Sequence, residues 1–268
     1  MHVTSLGFRT DLALLLSSGS LVEDRGTHLV VRSPDNPSYF WGNFLLLARP
    51  PAPGGEREVV GAFQTEFPLA DHVSIGIDNA DLTDEARAAF EDAGLEIYVG
   101  SVLAASSLQS PRAIAPEVEV RPLGSDEEWE GRARLSQQLY PQTSEEAFMT
   151  FARQKNAQER RLVDAGRGQR FGAFVKGQLV ATAGIFVTED GVARFQTVDT
   201  HTEHRRQGLA SAVVHAAGQY ALDHLGVSTL VIVADTDGDA IRIYRRLGFA
   251  DSERQLMLER RGSGWAEA

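Results

Sequence analysis

The sequence predicts an α/β (α+β) fold in which a mixed, mostly antiparallel sheet is flanked by helices. Apolar, β-branched runs of strand length, such as residues 230–234 (LVIVA), alternate with stretches of helical periodicity. Glycine-containing turns at residues 176–178 (KGQ) and 189–191 (EDG) separate neighbouring strands and are typical of antiparallel hairpins. A strand, a turn, a helix, a second strand and a last helix follow from residue 192.

The first part of the chain predicts the order α-β-β-α-β-α-β. Thr83 is suited to cap the third helix, which ends at Gly94. The small, polar, proline-containing stretch 104–116 predicts a domain boundary, which we put between domains 1–110 and 111–268. The predicted elements are helix 10–17, strands 28–32 and 39–47, helix 56–67, strand 72–78, helix 83–94 and strand 95–103.

The second part predicts a longer series that begins with one strand and two helices. Ser125 is suited to cap the first of these helices. Three strands joined by the two hairpin turns follow, and then a helix, a strand and a last helix. The predicted elements are strand 118–121, helices 125–140 and 145–164, strands 170–176, 178–187 and 192–199, a helix to about residue 225, strand 230–234 and a helix from residue 240.

An anion-binding turn is predicted at residues 205–210 (RRQGLA), between the strand 192–199 and the following helix. The first backbone N–H groups of a helix lack intrahelical partners, and the helix dipole makes that end positive. An anion therefore binds there readily, and two adjacent arginines add donors suited to phosphate oxygens. This segment predicts a cofactor that carries a diphosphate.

Two motifs resemble the GNAT N-acetyltransferase superfamily. The chain has no G-x-x-x-x-G-K-[ST] loop and no G-x-G-x-x-G after a strand. Arg205-x-x-Gly208-x-Ala210 instead resembles the coenzyme A pyrophosphate loop of that superfamily, [QR]-x-x-G-x-[GA]. Residues 240–249 (AIRIYRRLGF) resemble its last helix and turn, and one helix and one strand separate the two motifs, as in that fold. The resemblance covers about residues 117–260.

The resemblance implies an acetyl-CoA-dependent N-acetyltransferase that transfers acetyl to a primary amine. It implies that Tyr244 is the general acid that protonates the departing sulfur. Asp237 stands where many members carry Asn, which puts its contact to the pantetheine amides in doubt. The cofactor-binding residues implied are Val198, Asp199, Thr200, Arg205, Arg206, Gln207, Gly208, Leu209, Ala210, Asp237 and Ala240.

The sequence does not identify the general base. A primary ammonium of pKa about 10.4 is almost fully protonated at neutral pH, so it must lose a proton before it attacks. The candidates are Asp199, Glu203 and Glu119, or water held between them. None of these has a diagnostic spacing.

The N-terminal domain resembles a shortened, degenerate GNAT-like unit in the order of its elements. It has neither the R-x-x-G-x-A motif nor the Y-x-x-L-G-F motif. We therefore expect a tandem protein in which domain 1–110 has lost the cofactor and domain 111–268 binds acetyl-CoA and is catalytic. The alternative is a non-catalytic module that binds or senses acyl-CoA.

Composition limits the classes of binding partner and the cellular compartment that we expect for this protein. The net charge of −11 argues against nucleic acid and is compatible with a small-molecule or peptide amine. No apolar run reaches the roughly 18 residues of a membrane span, and no signal peptide is apparent, so we expect a cytoplasmic protein. Homodimer formation is left open. No metal is expected, because the chain lacks cysteine and the calcium-like loop 235–239 has Arg246 at its twelfth position.

Overall fold

The computed structural model describes residues 1–78, 81–140, 144–189 and 191–262. The chain divides into two compact units. Unit 1 contains Met1–Val102 and the segment that begins at Glu253, and unit 2 is Leu103–Ser252. The final strand therefore returns to the unit formed by the N-terminal part of the chain. The predicted domains 1–110 and 111–268, with their separate roles, stay a prediction.

Helices and strands are interspersed along both parts of the chain. The first part has α1 Leu6–Ser17, β1 Leu21–Asp24, β2 His28–Arg32, β3 Phe44–Leu47, α2 Glu56–Glu66, β4 Val73–Ile77, α3 Asp84–Asp92 and β5 Glu96–Ala105. The second part has β6 Val118–Pro122, α4 Asp126–Gln138, α5 Glu145–Asp164, β7 Gly168–Val175, β8 Gln178–Glu189, β9 Val192–Thr200, α6 Leu209–His224, β10 Thr229–Asp235, α7 Asp239–Arg246 and β11 Ala250–Arg260.

In unit 1 the strand order is β1-β2-β3-β4-β11-β5. The pairs β1–β2 and β2–β3 are antiparallel, whereas β3 and β4 are parallel and are connected through α2. Strand β11 runs antiparallel to β4, with Leu256 opposite Ile77. The side chains of Leu45, Phe63 and Phe90 are fully buried in the same cluster as Ile77 and Leu256, which makes β11 part of this core.

In unit 2 the strand order is β10-β9-β8-β7-β6. Strands β6 to β9 form antiparallel pairs, and β9 and β10 are parallel with α6 as the crossover. The core between the sheet and α6 contains Ile185, Phe195, Val213, Ala217 and Leu230. This mixed, mostly antiparallel sheet flanked by helices confirms the predicted fold class.

Two helix starts agree with the predicted caps. The Thr83 hydroxyl accepts a hydrogen bond from the Ala86 N–H at the start of α3. Ser125 and Glu128 form a capping box at the start of α4, in which each side chain accepts from a backbone N–H of the other residue. Asp190, in the second predicted hairpin turn, lies outside the described residues.

The predicted strand 39–47 was wrong in its first half. Phe40–Gly42 forms a 3-10 turn, and only Phe44–Leu47 is a strand. Asn43 explains the turn, because its amide donates to the carbonyls of Asn36 and Tyr39 and its Oδ1 accepts from the Ser33 N–H. Side-chain bonds of this kind compete with the strand ladder.

Strands β1 and β11 were not predicted. Both contain several charged residues, so their alternation is weak, and each is stabilised by pairing with another strand of unit 1. No helix in the described part of the chain is long and apolar enough to cross a membrane.

Candidate active site

The turn between β9 and α6 exposes the start of a long helix. Gly208 is the N-cap of α6 and has a left-handed φ of 83°, and Arg206 also has a positive φ of 61°. The first helical hydrogen bond, from Ala212 N to Gly208 O, is 3.0 Å long, and no side chain caps the helix at Gly208. The N–H groups of the first turn are thus oriented toward an incoming anion.

The other predicted phosphate-binding residues surround this helix start. Arg205, Arg206 and Gln207 are exposed, whereas Leu209 is buried and anchors the first turn in the core. Ala210 is half-buried. A side chain in place of Gly208 would adopt a strained backbone conformation, because L residues rarely adopt this φ. A backbone anion site with two exposed guanidinium groups is therefore suited to a diphosphate.

Strands β9 and β10 diverge beside this turn. Their parallel pairing covers Val192 to Arg194 of β9 and Thr229 to Val231 of β10. Strand β9 nevertheless continues to Thr200, and β10 continues to Asp235. Backbone groups of residues 195–200 on that side are therefore not used by the β10 ladder. The predicted cofactor residues Val198, Asp199 and Thr200 lie in this part of β9.

A β-bulge interrupts β9 in the same region. Thr182 of β8 lies opposite Asp199, and Gly184 lies opposite Gln196. Thr197 and Val198 therefore face a single residue of β8, which defines a bulge. Thr197 has a φ of 47°, a conformation that costs a residue other than glycine about 1–3 kcal/mol. The surroundings must compensate for that strain.

Arg170 of β7 holds the bulge from inside unit 2. Its side chain is fully buried, and its Nη2 and Nη1 atoms donate to the carbonyls of Gln196 and Thr197, each at 3.1 Å. Nη1 also donates to Thr182 Oγ1 at 3.3 Å, and Nε donates to Glu159 Oε2 at 2.7 Å. One guanidinium thus satisfies two carbonyls at the point where the ladder is interrupted.

Glu159 of α5 is the counter-ion of this guanidinium. The carboxylate is buried and also faces Arg132 Nη2 at 3.6 Å, and Arg132 donates to Asn156 Oδ1 at 2.8 Å. Burial alone would raise the pKa of Glu159, but the charges of Arg170 and Arg132 outweigh it and lower that pKa. The buried group therefore remains ionised.

Tyr244 and Asp199 come together at the end of β9. Tyr244, on α7, is 4% exposed and packs against Phe249, and Asp199 is 6% exposed. Burial raises the pKa of the Tyr244 phenol, and the negative charge of Asp199 raises it further. Ser136 of α4 donates its hydroxyl hydrogen bond to Asp199 Oδ2. A protonated phenol thus lies within electrostatic range of a buried carboxylate.

The other two candidate bases are in different surroundings. Glu119 is exposed at the edge strand β6 and forms an ion pair with Arg121 at 3.2 Å. Glu203 is exposed in the turn before α6, where its backbone N–H donates to His201 Nδ1. Of the three, Asp199 alone is buried, and it alone acts on the pKa of Tyr244. The structure thus brings Asp199 and Tyr244 together but not Glu119.

Asp237 and Ala240 are both exposed at the start of α7. Asp235 Oδ1 accepts from the Asp237 N–H at 3.1 Å, so the aspartates of this loop stabilise the turn itself. Within the described ranges, no group of three or more His, Asp or Glu side chains is arranged to hold a metal ion.

Sequence reasoning missed Arg170 and Ser136. An arginine next to the apolar run 171–175 (FGAFV) was a usable signal, since a charged residue inside a buried strand needs a buried partner. The partner Glu159 lies on α5, in a different predicted element, so no local pattern links it to Arg170. Ser136 has no sequence signal of its own, because only the fold brings α4 to β9.

The comparisons with known proteins identify the family of this site. Residues 133–249 match the acetyltransferase (GNAT) family, a range that includes the turn 205–210 and Tyr244. No curated protein matches the chain. The match begins inside α4 and ends at Phe249, so it lies entirely within unit 2.

Solved structures similar to the chain extend over both units. A GCN5-related N-acetyltransferase from Kribbella flavida has a TM-score of 0.64 at 20% identity, over 97% of this chain and 98% of its own. A functionally unknown conserved protein from Staphylococcus epidermidis ATCC 12228 has a TM-score of 0.68 at 14% identity, over 91% of this chain and 94% of its own.

A tandem GNAT protein from the clavulanic acid biosynthesis pathway is also similar. Its TM-score is 0.55 at 16% identity, over 92% of this chain and 87% of its own. At these identities the similarity concerns the fold, and the family match rests on residues 133–249. The chain therefore has the GNAT fold, and its residues 133–249 form a domain of the GNAT acetyltransferase family.

Proposed function

We propose that the protein is an acetyl-CoA-dependent N-acetyltransferase that acetylates a primary amine. The observation that carries the proposal is the buried, protonated Tyr244 within electrostatic range of the buried Asp199 carboxylate, at the end of β9 that leads to the Gly208 turn. The GNAT family match of residues 133–249 supports acetyl transfer as the class of reaction.

The residues of unit 2 fit coenzyme A. The N–H groups at the start of α6 would hold the diphosphate, with Arg205 and Arg206 adding charge. The part of β9 beyond its pairing with β10, which contains Val198 and Thr200, would bind the amide-rich pantetheine arm as an added strand. When bound, acetyl-CoA supplies the acetyl group as a reactive thioester.

Asp199 and Tyr244 would move the protons of the reaction. An Asp199 carboxylate oxygen takes a proton from the amine, directly or through water, and the Tyr244 hydroxyl gives its proton to the sulfur. The raised pKa keeps Tyr244 protonated before the reaction but makes release of that proton uphill. Return of the proton from Asp199 to the neighbouring phenolate offsets this cost and restores both groups.

Unit 1 repeats the strand–helix–strand arrangement but is not suited to the cofactor. Strands β3 and β4 are parallel and α2 connects them, as α6 connects β9 and β10. At the start of α2, however, the buried Glu56 carboxylate accepts from the Gly54 N–H at 3.4 Å, and Glu58 adds a second negative charge. These charges repel a diphosphate. We infer that unit 1 has lost coenzyme binding.

Calorimetric titration of the purified protein with acetyl-CoA, with free CoA as the comparison, tests the proposal. We expect saturable binding of both, followed by release of free thiol when acetyl-CoA is incubated with a panel of primary amines. Binding without turnover by any amine would favour a module that only binds or senses acyl-CoA. Absence of binding at millimolar acetyl-CoA would overturn the proposal and the alternative together.

A further inference from the structure

Arg170 binds two backbone carbonyls of β9. This fixes the direction of the N–H group that shares a peptide plane with each carbonyl. The carbonyl of Gln196 shares a peptide plane with the N–H of Thr197, and the carbonyl of Thr197 shares one with the N–H of Val198. In a planar trans peptide the C=O and the N–H point in opposite directions. Since both carbonyls point at the Arg170 guanidinium, the N–H groups of Thr197 and Val198 point away from it.

These N–H groups belong to the part of β9 that β10 does not pair with. The pairing of β9 with β10 ends at Arg194, and the bulge begins at Gln196. A cation bound to a peptide carbonyl polarises the whole peptide group, so its N–H becomes a stronger hydrogen-bond donor. The buried guanidinium thus acts on Val198 through the peptide bond, without reaching the space beside β9 itself.

Neighbouring groups restrict the position of this guanidinium. A Cβ atom on Gly184 would lie 2.7 Å from Arg170 Nη2, so the glycine makes room for the fork. Glu159 holds Nε at 2.7 Å and Thr182 Oγ1 lies 3.3 Å from Nη1, which fixes the orientation of the guanidinium plane. The guanidinium binds Glu159 and the carbonyls of residues 196 and 197 through three separate nitrogens, an arrangement that the single nitrogen of a lysine cannot reproduce.

We propose that Arg170 is a positioning residue for acetyl transfer: it fixes the β9 bulge so that the N–H of Val198 projects toward the acetyl oxygen of acetyl-CoA. The proposal rests on the proposed function, because it assigns a task to the same binding site. Arg170 touches neither substrate, and its effect passes through the peptide between Thr197 and Val198. A residue that only stabilised unit 2 would affect acetyl-CoA affinity and kcat no more than other changes in the same buried cluster do.

Three variants separate these roles. Arg170→Lys keeps a positive charge near Glu159 but has one nitrogen in place of the three that bind Glu159 and the two carbonyls, and Gly184→Ala displaces the guanidinium without removing it. The matched control is Arg132→Met, which removes a buried cation from the same carboxylate while leaving the Arg170 bonds to residues 196 and 197 in place. All three change the buried cluster, but only the first two change the bulge.

The first measurement is hydrogen exchange of the ligand-free proteins, in peptides that cover residues 181–186 and 194–200. We expect faster exchange in Arg170→Lys and Gly184→Ala, because the bulge carbonyls lose a partner, and wild-type exchange there in Arg132→Met. The second is calorimetry, in which acetyl-CoA affinity falls about tenfold in the first two variants and changes less than about threefold in the control.

For any amine that is turned over, we expect kcat to fall more than KM for acetyl-CoA rises in Arg170→Lys, since the Val198 N–H acts most strongly where negative charge develops. The proposal would be overturned if Arg170→Lys kept the hydrogen exchange and the acetyl-CoA affinity of the wild type. It would also be overturned if Arg132→Met lost as much affinity and exchange protection as Arg170→Lys. A wild-type protein that does not bind acetyl-CoA would instead overturn the proposed function and with it the task of Val198. The exchange data would then still decide whether Arg170 holds the bulge.

Discussion

The Tyr244 phenol and the Asp199 carboxylate lie close enough in unit 2 to interact electrostatically. Burial raises the pKa of Tyr244, and the charge of Asp199 raises it further. The two residues come from elements separated by a helix and a strand, α6 and β10. The hydroxyl of Ser136 donates to the same carboxylate, so Asp199 interacts with groups from two helices.

Replacing Tyr244 with Phe is expected to reduce kcat by about 10²–10⁴-fold, because the departing sulfur loses its proton donor. Acetyl-CoA affinity should stay near that of the wild type, since the phenol contributes little to the diphosphate or the pantetheine arm. Steady-state kinetics and calorimetry on the same preparation check both parts. An undiminished kcat in Tyr244→Phe contradicts the assigned role.

The raised pKa of Tyr244 also predicts how stability depends on pH. Above pH ~10 the unfolded chain loses the phenol proton that the folded protein keeps, so the folded state binds more protons. The stability that this group contributes is therefore fully present below pH ~10 and is lost as the pH rises above that value. Thermal unfolding between pH 8 and 11 should show a steeper decline in Tm for the wild type than for Tyr244→Phe. Parallel curves would show that Tyr244 is not the group responsible.

Asp199→Asn tests the proposed base while preserving shape. The amide oxygen can still accept from Ser136, but the side chain can no longer take a proton from the amine. We expect kcat to fall about 10²-fold or more at neutral pH, with acetyl-CoA binding retained. Ser136→Ala is the control, since it removes the hydrogen bond and keeps the carboxylate. If Ser136→Ala loses as much activity as Asp199→Asn, the orientation of Asp199 rather than its charge is what matters.

A pair of isosteric variants at Gly208 tests the phosphate site. Gly208→Glu and Gly208→Gln impose the same backbone strain at φ 83°, but only Glu places a negative charge at the start of α6. Acetyl-CoA affinity should fall at least about tenfold in Gly208→Glu and clearly less in Gly208→Gln. Equal affinities in the two variants would contradict a diphosphate at this helix start.

The acidic helix start in unit 1 predicts a single coenzyme site per chain. Calorimetry should give one acetyl-CoA bound per chain, and Gly208→Glu should weaken that binding without revealing a second site. Glu56→Gln removes a carboxylate at the start of α2 and is not expected to create measurable binding there, since Glu58 remains. Two sites in the wild type would contradict the assignment of unit 1 as a degenerate half.

Local sequence signals predicted the elements of unit 2 well. The helix Glu145–Asp164 has the predicted bounds, and the cap Ser125 is in place. The turn 205–210 lies between a strand and a helix, as the R-x-x-G-x-A motif predicted. Helical periodicity, caps and glycine turns depend on neighbours within a few residues, so they are recognisable without knowledge of the fold.

Signals that depend on distant partners were less informative. The charged strand β11 was not predicted, because its place beside β4 follows from pairing between segments far apart in the chain. Three acidic residues were equal candidates for the base, and the sequence could not rank them. Burial distinguishes Asp199 from Glu119, and burial is a property of the assembled sheet.

The sequence by itself determined the family resemblance and the strand–turn–helix order around Gly208, because each depends on residues close together in the chain. Only the tertiary structure decided that β9 carries a bulge, that Arg170 holds its carbonyls, and that the charge of Asp199 acts on Tyr244. These are contacts between separate elements, and the energies that select them come from burial and from pairing of buried charges. Such energies are defined only when the partners have been brought together.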